Sequence, residues 1–325
     1  MKRHNVLLPI ILAFCLASTC LAADTAPRWS LAIHGGAGGI SASLPASEVP
    51  KVAPTMRKAL EAGSTILRNG GTSLDGVQAA IRVMEDSGLF DAGRSPVYNH
   101  AGFAELDASI MNGKDLKAGA VAALQHIANP IDLARLVMDR TPHVLMVASG
   151  AETFAKEQGI KLVPSSYFQT DWRHQELLLE QQKAPKTRGT VGAVALDEHG
   201  NLAAGTSTGG LTDKHVGRVG DSPIIGAGTY AKNGVCAVSA TGQGEFFIRY
   251  HAASSICDRI QFNHETAQQA ANEVIAEIAQ AGGDGGVIVM DAGGNVTMPF
   301  SRSTILRATV SSDQAPVVIT QDPAR

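Results

Sequence analysis

The sequence predicts an α+β fold in which antiparallel sheets are covered by helices. Strand-like and helix-like segments come in blocks rather than in strict alternation, which argues against a parallel βαβ sheet. Two strand pairs are joined over short turn sequences, Glu198-His199-Gly200-Asn201 and Ala292-Gly293-Gly294, as antiparallel hairpins require. Several helices carry a single apolar stripe, so each has one surface to bury.

Trp29 to His34 reads as a first strand, running into Gly35-Gly36-Ala37-Gly38-Gly39. Met56 to Arg68 is a helix stopped by Asn69-Gly70-Gly71, and Ser73 caps a second one with Leu74, Val77, Ala80, Ile81 and Met84 on its apolar side. Phe103 to Met111 and Leu116 to Ala123 read as strands. Asn129-Pro130 opens a helix through Leu133, Leu136 and Val137 in cap-then-proline order. His143 to Ala148 is a strand, and Glu152 to Gln158 a short helix stopped by Gly159. From Ser165 to about Arg188 the periodicity fails, and residues 165–189 read as an exposed linker or a loosely packed helix. Thr190 to Asp197 pairs with Leu202 to Ser207. Val235 to Ala240 runs into a long helix after Gly244, Thr266 to Gln280 is an amphipathic helix, and Val287 to Met290 pairs with Val296 to Met298.

The chain has 325 residues, 44% hydrophobic and 18% charged, enough for one large domain or two intimate ones. Its formal charge of −3 would become −5 without Lys2 and Arg3, which excludes nucleic acid and anionic membranes as natural partners. Residues 1–22 have the layout of an export signal. Met1-Lys2-Arg3-His4 is basic, Val6 to Leu16 is apolar apart from Pro9, and Ser18 to Ala23 offers small residues for cleavage after Ala22. The apolar run is too short to span a bilayer, so the expected destination is a bacterial periplasm or the medium, with no membrane contact after cleavage. Cys15 and Cys20 fall in that leader. Cys236 and Cys257 remain, one on a strand and one on a helix; an oxidising compartment permits a bridge between them, but two cysteines make no disulfide framework and buried free thiols are the preferred reading.

The sharpest chemical signal is Gly189-Thr190-Val191-Gly192, where an apolar strand starts abruptly at a threonine after a polar, basic stretch. A threonine hydroxyl is a poor nucleophile without a base beside it. Cutting the Gly189–Thr190 bond would supply one, because the new α-amine has a pKa of about 8. Thr241-Gly242-Gln243-Gly244 lies where a strand gives way to a helix, a place where backbone N–H groups can hold an oxyanion. Arg218-Val219-Gly220-Asp221 sets a cation and an anion three residues apart, matching the head group of a free amino acid; a salt bridge between the two is the plainer reading. Two pattern matches fail on context. Gly205-Thr206-Ser207-Thr208-Gly209 lacks the helix a serine nucleophile elbow needs, and Gly226 to Ala231 lacks the helix of a dinucleotide site. The histidines show no paired metal spacing.

Taken together, Gly189-Thr190-Val191-Gly192, Thr206-Ser207-Thr208-Gly209-Gly210, Gly217-Arg218-Val219-Gly220-Asp221-Ser222-Pro223 and Thr241-Gly242-x-Gly244-Glu245 resemble the plant-type asparaginase/isoaspartyl peptidase family. These are N-terminal nucleophile hydrolases related to glycosylasparaginase. The resemblance runs from Ala32-Ile33-His34-Gly35-Gly36-Ala37-Gly38 to Met298-Pro299-Phe300. It implies a four-layer αββα sandwich, an α chain of residues 23–189, a β chain of residues 190–325, and pairing of two αβ units. It implies Thr190 as nucleophile, Thr208 supporting its hydroxyl, and Thr241 with Gly242 as the oxyanion hole. Arg218 and Asp221 would hold the substrate's α-carboxylate and α-amino group, with Gly244 beside them. The implied reaction is hydrolysis of β-aspartyl bonds in isoaspartyl dipeptides and L-asparagine, without a required cofactor. A structural sodium ion is implied on carbonyls of Met84, Glu85, Ser87, Phe90, Ala92 and Arg94. One motif departs: the family's Asn-Ala-Gly-x-Gly is here Asp91-Ala92-Gly93-Arg94-Ser95. Rival readings are a serine hydrolase using Ser207, a glycosylasparagine amidase with a roomier leaving-group site, and an exported, non-catalytic binder of an aspartate-like ligand.

Overall fold

A computed structural model of the chain describes residues 28–182 and 189–321. The leader at 1–22 and the linker stretch 183–188 lie outside the described residues. The strands are β1 (Ser30–Ala37), β2 (Leu106–Asn112), β3 (Ala118–Leu124), β4 (Leu145–Val147), β5 (Val191–Leu196), β6 (Leu202–Thr208), β7 (Thr229–Lys232), β8 (Cys236–Gly242), β9 (Gly285–Asp291), β10 (Val296–Thr297), β11 (Ile305–Ser311) and β12 (Val317–Ile319). The helices are α1 (Val52–Arg68), α2 (Ser73–Asp86), α3 (Pro130–Arg140), α4 (Ala148–Glu157), α5 (Asp171–Gln181), α6 (Gly244–Arg249), α7 (Ala252–Asn263) and α8 (Ala267–Gln280).

One sheet has eight strands in the order β12-β11-β1-β5-β6-β2-β3-β4, the other four in the order β10-β9-β8-β7. Every pairing is antiparallel except β3 with β4, so the large sheet is mixed rather than purely antiparallel. The reason is the connection: α3 carries the chain from β3 back to the same end of the sheet, a crossover that yields a parallel neighbour. Three apolar clusters define four layers. Leu60, Leu67, Val77 and Ile81 of α1 and α2 pack on Leu31, Ile33, Val191 and Ala193 of the large sheet. The opposite face of that sheet, through Ala32, Met111, Val194 and Ala204, meets Ala237, Ile288 and Met290 of the small one. Val238, Val287 and Val289 then meet Ile256, Val274 and Ile278 of α7 and α8. The order is helix, sheet, sheet, helix, and both sheets are buried on both faces. That explains why β5 reads as a nearly continuous apolar run.

Local structure departs from the sequence reading at three places. The stretch 165–182 is not wholly a linker: it forms a 3-10 turn at Ser165–Phe168 and α5, which bury Phe168, Arg173, Glu176 and Leu177. An ion pair between Arg173 and Glu176, at 2.6 Å, lets these two charged residues be buried. The helix after Gly244 is broken into α6 and α7, with His251 at φ +48° between them. Cys236 of β8 and Cys257 of α7 are not free thiols: they are disulfide-bonded, with Cα atoms 5.7 Å apart. They face each other across the small sheet's helix cluster, a proximity that spacing in the chain does not reveal. Among the described residues, no helix is long and apolar enough to cross a membrane.

Candidate active site

Thr190 immediately precedes β5, which lies in the middle of the large sheet between β1 and β6. Its side chain is buried beside the Gly189–Thr190 peptide. The Thr190 hydroxyl donates to the Gly189 carbonyl oxygen, and Thr208 at the end of β6 donates to the same oxygen at 3.0 Å. The two hydroxyl oxygens are 3.3 Å apart, and the Gly210 N–H donates to Thr208 Oγ1 at 2.9 Å, fixing the supporting side chain. Gly36 (φ +109°) presses on this peptide: a side chain there would come within 2.9 Å of Thr190 N. The glycine run after β1 thus has a packing reason.

Thr241 and Gly242 end β8, in the facing sheet. The Ala37 N–H donates to Thr241 Oγ1 at 2.9 Å, which leaves the Thr241 proton available to another acceptor. Arg218 and Asp221 come together against the bare Cα of Gly244. A methyl there would lie 2.7 Å from Asp221 Oδ1 and 3.0 Å from Arg218 Nη2. The plainer reading of these two as a mutual salt bridge does not hold, since Arg218 Nε pairs with Glu245 at 3.0 Å. Asp221 Oδ2 is buried without a hydrogen-bond partner, and burial pushes its carboxyl up to about 7. A carboxylate in that state welcomes an incoming ammonium. The nucleophile cluster and the head-group cluster adjoin through Gly210, whose added Cβ would lie 3.3 Å from Arg218 Nη1.

Asp91 lies against the Gly189–Thr190 bond. Its Oδ1 accepts from Val97 N at 2.8 Å and Gly209 N at 3.2 Å, and a Cβ on Gly189 would sit 2.5 Å from Asp91 Cβ. Burial raises its carboxyl to about 6, the Arg173 charge opposing. Beside it opens a cavity of about 330 Å³ lined by Gly189, Asp91, Arg173, Leu44, Phe90 and Leu306 among others, and by neither Arg218 nor Asp221. In the candidate sodium loop, Gly88 and Gly93 at positive φ curl the chain so that Arg94 N closes on the Glu85 carbonyl at 2.8 Å. The Met84 carbonyl accepts from Ser87 Oγ at 2.7 Å. The Met84 carbonyl also accepts from Ser87 N at 3.3 Å and has no lone pair to spare, whereas the carbonyls of Glu85, Ser87, Phe90, Ala92 and Arg94 are hard oxygen donors of the kind an alkali cation takes.

Ser207 is excluded as a nucleophile. Strand alternation turns it to the face away from Thr206 and Thr208, where it donates to Glu85 Oε1 at 2.6 Å and is fully buried. Gly226 to Ala231 enters β7 rather than a helix. Sequence reading missed four residues around the site: His34, Ser239, Arg173 and Lys214. The last is a fully buried lysine that donates to the Glu105 carbonyl at 2.8 Å beside Gly210. A polar residue inside an otherwise apolar run was the available signal for His34 and Ser239.

The family model described as asparaginase matches residues 27–320. The isoaspartyl peptidase of Salmonella typhimurium is 45% identical over 293 residues, covering 86% of this chain and 94% of its own. That of Escherichia coli is 44% identical, covering 86% and 91%. The human isoaspartyl peptidase/L-asparaginase is 42% identical, covering 81% and 87%. With the fold, the Gly189–Thr190 geometry and these similarities in agreement, the chain belongs to the asparaginase family of N-terminal nucleophile hydrolases.

Proposed function

We propose that this protein is made as a precursor that cuts its own Gly189–Thr190 bond, and that the freed Thr190 hydrolyses β-aspartyl bonds to release L-aspartate. The observation that carries the reading is the pair of threonine hydroxyls, Thr190 and Thr208, on the Gly189 carbonyl oxygen. In the precursor, Thr190 Oγ1 attacks the Gly189 carbonyl carbon. The C–N bond breaks as the acyl group moves to oxygen and the hydroxyl proton passes to the departing Thr190 nitrogen; water then hydrolyses the ester to a Gly189 carboxylate and a free Thr190. In the mature enzyme the neutral Thr190 amine takes the hydroxyl proton, and the alkoxide attacks the substrate's β-carbonyl. Thr241 Oγ1–H and the Gly242 N–H hold the oxyanion, typically worth about 3 kcal/mol per donor. The leaving amine takes the proton, and water hydrolyses the aspartyl ester.

Arg218 faces the substrate's α-carboxylate and Asp221 its α-ammonium, so isoaspartyl dipeptides and L-asparagine share one head-group site. The cavity beside Gly189 favours the dipeptides. It is far larger than ammonia needs, and Leu44, Phe90 and Leu306 suit an apolar leaving residue. No cofactor enters the reaction. A sodium ion on the carbonyls of loop 84–94 would hold Asp91 and Ser95 in place; exchanging sodium for choline should lower the melting temperature if it binds. Two αβ units pair, and Val144, Leu145 and Val147, exposed together at the β4 edge, suit such a contact. Light scattering would read its mass. The export reading gains support from the Cys236–Cys257 disulfide, which persists in oxidising compartments.

Intact mass and N-terminal sequencing of the purified protein test the central step. Two chains, one beginning at Thr190, are expected, and Thr190→Ala should remain one inactive chain. An active Thr190→Ala protein would overturn the reading.

A further inference from the structure

Beneath the reacting groups lies a layer of side chains that the proposed reaction does not use. His34 Nε2 is 2.9 Å from Ser239 Oγ, and Ser239 Oγ is 2.7 Å from Thr206 Oγ1. Thr206 Oγ1 is 2.6 Å from Thr229 Oγ1, and Ser109 Oγ lies 2.8 Å from Thr229 Oγ1. Ser109 Oγ also reaches the Ser222 carbonyl at 2.6 Å. These five side chains are fully buried. They come from β1, β8, β6, β7 and β2, so the hydrogen bonds cross from one sheet to the other several times.

Each member stands one step from a residue of the site. Two residues on along the same strand face, Thr206 leads to Thr208 and Ser239 to Thr241, while His34 leads across a β-bulge to Gly36, which lies against the Gly189–Thr190 peptide. Ser222 adjoins Asp221. His34 also contacts the Thr190 backbone, and it is held neutral, its pKa pushed down to about 3 by burial. Gly192, two residues beyond Thr190, has no side chain because the layer fills that space. A Cβ there would lie 2.0 Å from Ser239 Oγ and 2.3 Å from His34 Nε2.

We infer that the buried chain His34–Ser239–Thr206–Thr229–Ser109 is a positioning device that sets the nucleophile strand, the oxyanion strand and the head-group loop at fixed heights relative to one another. Thr206 is its centre, since its hydroxyl also reaches the Gly228 carbonyl at 3.1 Å. Reaction within a preformed site depends on sub-ångström placement, and a shift of about 1 Å can cost roughly 100-fold in rate. A hydroxyl layer suits this task because each member can donate and accept without carrying charge toward the reacting amine.

The inference rests on the hydrolase reading, and the two can fail separately. Full-length Thr206→Val, Thr206→Ser and Ser109→Ala proteins are compared with the parent for self-cleavage rate, kcat and KM on L-asparagine, with near-UV circular dichroism confirming the folded fraction. Thr206→Val keeps the shape and loses the hydroxyl. It should slow self-cleavage and kcat at least tenfold, while KM changes less than threefold; Thr206→Ser should recover both rates. Ser109→Ala, at the Asp221 end, should act chiefly on KM. Should Thr206→Val fold too poorly to assay, Ser239→Ala replaces it, with the same expected loss in kcat. Folded variants with parental rates, or a Thr206→Ser protein as slow as Thr206→Val, would overturn the positioning role. A parent protein that neither cuts itself nor turns over asparagine would instead overturn the hydrolase reading.

Discussion

Two buried polar regions meet at Thr190 and are built in opposite ways. Below it, the floor of His34, Ser239, Thr206, Thr229 and Ser109 is neutral, and each hydroxyl has at least two partners except where His34 begins the run. Beside it, the wall is charged: Asp91, Asp107 and Asp221 are buried near Arg173, Lys214 and Arg218, and Glu85 is buried behind the sheet against Ser207. Each of these four carboxyls has one oxygen without a hydrogen-bond partner, whereas the floor has a single such atom, His34 Nδ1. A satisfied neutral network rigidifies what rests on it; an unsatisfied charged one is costly until something arrives to complete it. On the proposed reading the floor belongs with positioning and the wall with recognition, with the substrate's ammonium as the partner for Asp221 Oδ2.

The largest effect should come from intruding on the floor. Gly192→Ala puts a methyl into Ser239 Oγ and His34 Nε2, neither of which is the loose end of a flexible chain. Overpacking of this kind typically costs about 1–3 kcal/mol. Thermal unfolding should show that loss, and gel analysis should show an uncut precursor. A Gly192→Ala protein that matures at the parental rate would mean the floor tolerates displacement, and the contrast with the wall would weaken. Next in size is Ser207→Ala on the wall side, which leaves Glu85 Oε1 with the Ile131 N–H as its remaining donor. The expected outcome is a stability loss of about 1–3 kcal/mol with self-cleavage intact.

The pH responses of the two regions should have opposite signs. Burial lowers His34 from 6.5 to about 3, so unfolded chains take up a proton that the folded one refuses. Stability attached to neutral His34 is complete above pH 6.5 and is lost as pH falls toward 3. Burial raises Asp221 from 3.8 to about 7, so stability attached to its protonated form is complete below pH 3.8 and is lost as pH rises through 7. In Asp221→Asn that second loss disappears. The melting temperature of the variant relative to parent should therefore climb between pH 4 and 7. Because the ammonium needs the carboxylate, parental kcat/KM should fall on the acid side of about pH 7. Parallel melting curves for the two proteins across that window would remove Asp221 from the comparison.

The wall was more legible in the sequence than the floor. Arg218 and Asp221 announce themselves as opposite charges in a glycine-rich loop, and Thr190 as an abrupt strand start. The two-sheet, helix-covered architecture followed from hairpins and one-sided helices, and the layers from family resemblance. Thr206 and Ser239 are small polar residues in apolar strands, a weak signal, and because β-branched or small residues suit strands anyway it did not identify them as partners of each other. Their meaning lies in the approach of two sheets, which no spacing within either strand encodes. Arg173 and Glu176 were hidden for a related reason: two charges at helical spacing look solvated until a partner segment covers them. The Cys236–Cys257 bond was similarly invisible, because pairing depends on where α7 crosses β8.

The smallest effect, and the one that bears most directly on the chain's own departure from its family, is expected from Asp91→Asn. The amide oxygen can keep both hydrogen bonds of Oδ1, from Val97 N and Gly209 N. The amide nitrogen would replace Oδ2, the oxygen that is buried without a partner. The substitution therefore removes a buried charge while leaving the loop's two backbone anchors in place. Stability at neutral pH should rise by about 1 kcal/mol, the scale of relieving one unsatisfied buried group. Self-cleavage should persist, because the hydroxyls of Thr190 and Thr208 on the Gly189 carbonyl do not depend on Asp91. A fall in stability would mean that Asp91 is held by the positive charge of Arg173 and Lys214 and is a working member of the wall. In that case the carboxylate is a feature of this chain's substrate choice, and turnover of isoaspartyl dipeptides with basic and acidic leaving residues, parent against Asp91→Asn, would show which sign of charge it selects.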